Sequence, residues 1–314
     1  MDLKTSAQTP PPAKIPRIGF LSSTSAPTPT APAPFFQSFR KGLDHIGYSE
    51  GRTIIIEPRF SEGWAERLPE LAADLARLRV DVVSVIGAVT ARAAKNVTTS
   101  IPIVFAVVVD PVADGVVASI ERPGRNVTGI TTFDPGQARK QLELLKEAIP
   151  GLARVAILAD QGVSEALTIA NEEQARALGL QPQRLVVAGP TPDLDGAFTA
   201  ARRDRADALL VLEEPITVVY RKRIAELAAK DRLPTLFARD WVDAGGLIAY
   251  GTSLNEAVRR MPAYVDKILK GAKPSDLPVE VITRHELIIN LKTAREIGVT
   301  IPPEVLKRAD QIIQ

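Results

Sequence analysis

Few side chains in this sequence have the type and spacing that covalent chemistry requires. There is no cysteine, and His45 and His285 are the only histidines. Disulfides, thiolate catalysis and cysteine metal sites are therefore excluded, and neither an HExxH motif nor a paired-histidine spacing exists. The sequence contains no GxSxG elbow, no GxGxxG and no GxxxxGK[ST] phosphate loop. Glu213-Glu214 is a carboxylate pair on paper, but consecutive residues point in different directions and no partner acid accompanies them.

Recognition chemistry is better represented. Ser22, Ser23 and Thr24 follow one β-branched run, Ala88, Val89 and Thr90 follow another, and Asp110 follows a third. Further on come Thr132, Phe133, Asp160, Gln161, Glu213 and Glu214, then Arg239, Asp240, Trp241 and Tyr250. Helix N-termini with unpaired N–H groups at the strand ends suit a ligand carboxylate, and side-chain hydroxyls at the same edge can complete its hydrogen bonds. An aromatic ring can stack on its apolar part. Each serine, threonine or aspartate can equally be a helix cap. Asp240 reads either as an acceptor for a ligand ammonium or as the cap of a short helix over 241–244. Trp241 reads as a stacking platform or as half-buried packing. Arg239 beside Asp240 reads as a bidentate carboxylate binder or as a surface ion pair.

The elements that would position these residues follow from periodicity. Ile103 to Val109 is an uninterrupted apolar run, the mark of a parallel strand buried on both faces. Asp110-Pro111 stops it, a short amphipathic helix is expected to about Glu121, and Val127 begins the next strand. Strand and helix alternate four times before Arg125, then the pattern restarts at Gln137 and repeats to Ala238. One helix is expected over 216–230, a strand over 247–250 and a long helix over 255–270. The fold class read from this alternation is α/β, with doubly wound parallel sheets in two lobes.

The runs Asp110-Pro111-Val112 and Ser119 to Thr131 (SIERPGRNVTGIT) resemble the signature of a group of periplasmic substrate-binding proteins of ABC transporters. Glu286 to Ile313, Gly271-Ala272-Lys273-Pro274 and Asp276-Leu277-Pro278-Val279-Glu280 resemble the same family, and the similarity runs from Ile15 onward. The resemblance implies two lobes joined by a hinge of three crossings, near 129–134, 239–252 and 283–292. It implies a first lobe of 15–130 plus about 247–284 and a second of 131–246 plus about 285–314, after an arm over 1–14. It places ligand contacts in the loops matching Ala88 to Thr90 and Val109-Asp110. It also implies an aromatic amino acid or an aromatic or organic acid as solute, ABC permease subunits as partners, a monomer, no cofactor and no catalysis. Where relatives carry an Asn/Pro/Ser-rich loop this chain has Asp160 to Val163, and where they carry a Thr-Asp-Asn-type loop it has Glu213-Glu214-Pro215.

Composition is that of an ordinary globular protein rather than a disordered or membrane one. Apolar residues make up 45% and charged residues 24% of 314 residues, enough for two domains with separate cores. The 39 basic and 37 acidic residues leave a formal charge of +2, which provides no nucleic-acid footprint. Met1 to Lys14 is polar and proline-rich and lacks the apolar core of a secretory signal; the expectation of a periplasmic or exported protein rests on the resemblance. Two other classes fit an α/β chain with a cleft: an enzyme, which needs a motif absent above, and a ligand-sensing core of a regulator, which needs a DNA-binding helix-turn-helix.

Overall fold

The computed structural model describes residues 14–29, 33–132, 134–163, 165–212, 215–237 and 239–314. The first half alternates β1 (Arg17–Ser22), α1 (Pro34–His45), β2 (Ile55–Phe60), α2 (Leu68–Arg77), β3 (Val82–Ile86), α3 (Ala88–Val97), β4 (Ile103–Val108) and β5 (Val127–Thr131). The alternation resumes with α4 (Gln137–Ala148), β6 (Arg154–Asp160), α5 (Glu165–Ala177), β7 (Gln181–Val187), α6 (Leu194–Arg203) and β8 (Ala208–Val211). Then come α7 (Pro215–Val219), α8 (Arg221–Lys230), β9 (Thr235–Phe237), β10 (Ile248–Gly251) and α9 (Leu254–Leu269). The chain closes with β11 (Glu280–Val281), β12 (Glu286–Asn290), α10 (Leu291–Ile297), α11 (Pro303–Leu306) and β13 (Gln311–Ile313).

Two sheets result. A six-stranded sheet has the order β11-β5-β4-β3-β1-β2, and a seven-stranded sheet has β13-β12-β10-β9-β8-β6-β7. Every pairing is parallel except β10 with β12. Parallel strands need both faces covered, and the sequence supplies the covers. On one face of the first sheet, Phe20 meets Phe36 and Phe39 of α1 and lies in one core with Met261 and Val265 of α9. On the other, Leu68 and Leu75 of α2 and Ala91 and Ala94 of α3 pack with Val83 and Val85. The second sheet is covered by α6 and α8 through Phe198, Ile224 and Leu227, and opposite them by α4 and α5 through Leu142, Leu145 and Ala175.

Three segments depart from the sequence reading. The helix expected after Asp110 is a series of turns: Oδ1 of Asp110 accepts from the N–H groups of Val112 and Ala113, and Val116 and Val117 both donate to the Pro111 carbonyl. Aspartate and proline favour that closed turn over a propagating helix. The helix expected over 216–230 breaks at Tyr220 into α7 and α8. The strand expected to return to the first lobe, β10, pairs instead with β9 and β12 in the second sheet, so the return begins at α9. Ser253 caps α9 by accepting from the Glu256 N–H.

One irregularity aims the site. In β4, Ile103 and Phe105 face the α2–α3 core, while Val104 and Ala106 face α1 and α9. Val107 repeats the side of Ala106, and Val108 then takes the other. The register to β5 shifts between Phe105 and Val108, and Val107 has φ of 59°. A β-branched residue there is strained, and such bulges cluster beside functional sites. Thr131 holds the displaced end by donating its hydroxyl to the carbonyls of Val108 (2.7 Å) and Val109 (3.1 Å). The partner strand must come close: a Cβ at Gly129 would stand 2.2 Å from the Phe105 carbonyl oxygen.

Candidate ligand-binding cleft

The carboxyl ends of strands in both sheets line two neighbouring cavities. The smaller, of about 40 Å3, is lined by Ser23 after β1, by Ala88, Val89 and Thr90 at the start of α3, by Asp160 at the end of β6, and by Gln161 and Gly162 after it. No side chain caps α3, so its first-turn N–H groups present a positive end toward this cavity. Thr90 is only 1% exposed, and its buried hydroxyl has no hydrogen-bond partner. On the opposite wall, Asp160 turns its carboxylate back on its own lobe and accepts from Gly162 N at 2.5 Å and Ile216 N at 3.0 Å. Burial pushes its pKa above the usual carboxylate range despite these amide bonds.

The larger cavity, of about 290 Å3, adjoins the hinge. Val109, Asp110 and Thr132 line it from the first sheet, and Gln137, Gln141, Leu167, Asn171 and Leu212 from the second lobe. This volume is at the lower end of the ~300–1,000 Å3 of small-molecule sites. No lysine or arginine lines either cavity among the described residues. On the mouth side the lobes meet. Gly63, after β2, lies against Pro190, after β7, so closely that a Cβ on Gly63 would stand 2.8 Å from the Pro190 Cα.

Other nominated residues lie elsewhere. Ser22 is buried at the end of β1 and hydrogen bonds with the Thr24 hydroxyl at 2.9 Å. Asp240 does not cap its own short helix: its Oδ2 accepts from Ser253 Oγ, Asn255 N and Asn255 Nδ2, and its Oδ1 from Arg239. It therefore ties the start of α9 to the second lobe. Arg239 is consumed by Asp240 and Glu286. Trp241 is 2% exposed and packs in the core against Phe237, ring centroids 6.5 Å apart. Neither cavity reaches it.

Tyr250 belongs to the hinge. Its ring stacks on His285 at 5.5 Å, and Nε2 of His285 is 3.1 Å from Oδ2 of Asp134. Asp134 and His285 lie on two of the chain crossings between the sheets, and Tyr250 lies on β10 just before the other. Phe133, Glu213 and Glu214 lie outside the described residues. Sequence reasoning missed Gln137, Gln141 and Asn171. The available signal was an asparagine on the same helical stripe as Leu167 and Ala170, where an apolar residue was due.

Among the described residues no group of histidines and carboxylates could hold a metal ion, and no helix is long and apolar enough to cross a membrane. The comparisons with known proteins agree with a cleft that binds. A profile of the ABC transporter substrate binding protein family matches residues 33–313. The tyrosine-binding protein of Clostridioides difficile (strain R20291) is 25% identical over 263 residues, 82% of this chain and 75% of its own length. The chain is also similar to a domain from Streptococcus pneumoniae solved in complex with L-Trp, with a TM-score of 0.84 at 26% identity over 96% of this chain and 100% of that one. The ligand-free, open structure of a substrate binding protein with adhesive properties from Clostridium difficile matches with a TM-score of 0.64 at 22% identity, over 96% and 100% of the two chains. The fold is that of the type I periplasmic binding proteins. The chain belongs to the ABC transporter substrate binding protein family, whose members bind a solute and do not transform it.

Proposed function

We propose that this protein captures a small carboxylate-bearing solute, an aromatic amino acid or an aromatic or organic acid, and delivers it to the permease of an ABC importer. The observation that carries the reading is the start of α3. A buried Thr90 hydroxyl without a partner stands beside uncapped helix N–H groups in a cleft between two lobes. A carboxylate satisfies all of these donors at once. The relatives named for tyrosine and L-Trp support an amino acid as the first class to test.

In this reading, 15–130 together with α9 to about 284 moves as one body and the rest of the chain to 314 as the other. Ligand stabilises the shut arrangement, and the permease reads the outer faces of a monomer held outside the cytoplasm. The test is thermal denaturation with panels of aromatic amino acids, aromatic acids and short dicarboxylates. A solute at 100-fold excess over its Kd adds about 2.7 kcal/mol. A flat response to all three panels would sink the proposal.

A further inference from the structure

Asn171 is the least expected residue in the wall of the larger cavity. It lies on α5 and shares the cavity-facing stripe with Ala166, Leu167 and Ala170. It is 2% exposed. Its Nδ2 donates to the Leu167 carbonyl at 2.9 Å. That bond fixes the amide orientation, because a carbonyl can only accept and the group facing it must be the nitrogen. Oδ1 therefore points away from the helix backbone, and it has no hydrogen-bond partner. A buried acceptor left unpaired is destabilising, and leucine or alanine would have continued the apolar stripe without that cost.

Among the described residues, no other group of this wall is bonded to this oxygen. The Asp110 carboxylate accepts from the N–H groups of Val112 and Ala113, and that of Asp134 from Gly136 N while it faces His285. These two carboxylates, like Oδ1 of Asn171, only accept; of the wall's donors, Gln141 Nε2 donates to the Tyr250 carbonyl and none of Thr132, Gln137, Gln141 and Thr252 bonds Oδ1. We infer that the solute brings an N–H or O–H donor to Oδ1 of Asn171, and that Asn171 sets specificity by rejecting solutes that lack it. The inference rests on the carboxylate-solute reading above and adds the chemistry of the solute's second polar group.

Calorimetric titration with three probes tests it: L-tyrosine against L-phenylalanine, which differ by a ring hydroxyl, and L-phenylalanine against 3-phenylpropanoate, which differ by the ammonium. A site built around a hydrogen bond discriminates strongly against the analogue without it, so one pair should differ by about tenfold or more in Kd in the wild-type protein. In Asn171→Leu that ratio should collapse to within about threefold while the other pair keeps its ratio, which identifies the donor as hydroxyl or ammonium. Asn171→Ala gives the same readout if leucine overfills the cavity. Both ratios unchanged in the variants, or no discrimination in the wild type, overturns this inference alone. A wild-type protein that binds none of the three removes the parent reading and this inference with it.

Discussion

Thr90 and Asp160 face the same small cavity and make opposite demands on solvent and ligand. Thr90→Val removes a buried hydroxyl that nothing satisfies, so the ligand-free protein should be no less stable in thermal denaturation. Its Kd for the solute should nevertheless weaken about 10- to 100-fold, the loss of a hydrogen bond to a charged group at roughly 1.5–3 kcal/mol. Asp160 has its pKa raised by burial. An acid shifted this way stabilises the fold fully below its unfolded pKa, and that contribution disappears as pH rises through the folded value. The difference in Tm between wild type and Asp160→Asn should therefore fall as pH rises from about 4 toward neutrality, from an ordinary aspartate pKa of ~3.9 upward. A pH-independent difference would show that the carboxylate titrates normally. Strand-end reasoning nominated both residues, because sheet topology alone puts them at the cleft. It could not nominate Asn171, which sits mid-helix where a polar residue ordinarily marks the wet face. Trp241 shows the converse: rarity in composition drew attention to a side chain that the fold uses as core.

At the scale of elements, the alternation of runs was enough to read two parallel sheets, since strands without polar interruptions have few other fates. What it could not read was where alternation fails. The bulge at Val107 leaves no trace in a run of valines, yet it turns the end of β4, with Val109 and Asp110, into the cleft. Proline and aspartate at 110–111 likewise ended a helix before it began, and α9 carries Pro262 within it without ending there; local punctuation is overridden where packing on α1 and the first sheet is extensive. The bulge also makes a prediction. Gly129→Ala places a methyl against the Phe105 carbonyl, and overpacking should cost about 1–3 kcal/mol or more in denaturant unfolding. Because the strained strand end lines the site, Kd should weaken in the same variant. Unchanged stability would mean that β4 and β5 have slack the geometry does not suggest.

At the scale of the whole molecule, the crossings matter more than either lobe. Asp134 and His285, from two different crossings, meet each other, and His285 stacks on Tyr250 near the end of β10, beside the remaining crossing; Asp240 fastens α9 to the second lobe nearby. In the proposed closing motion, a hinge stitched this way would rotate about a defined axis rather than slide. Small-angle scattering should accordingly show a smaller radius of gyration at saturating solute, and an unchanged radius would argue against closure. The mouth sets the end point of that motion. Gly63 has φ of +82° and sits against Pro190 with no room for another atom. Alanine there is strained in every conformation, but its methyl collides only when the lips touch. Gly63→Ala should weaken solute binding beyond its effect on ligand-free stability; equal effects would place the whole penalty in the backbone. The bare lip is then a gauge as well as a hinge stop. A cargo that fits wholly inside lets the rims latch, whereas an overlong one props them ajar, so the carrier would reject bulk at its doorway and wrong chemistry in its interior.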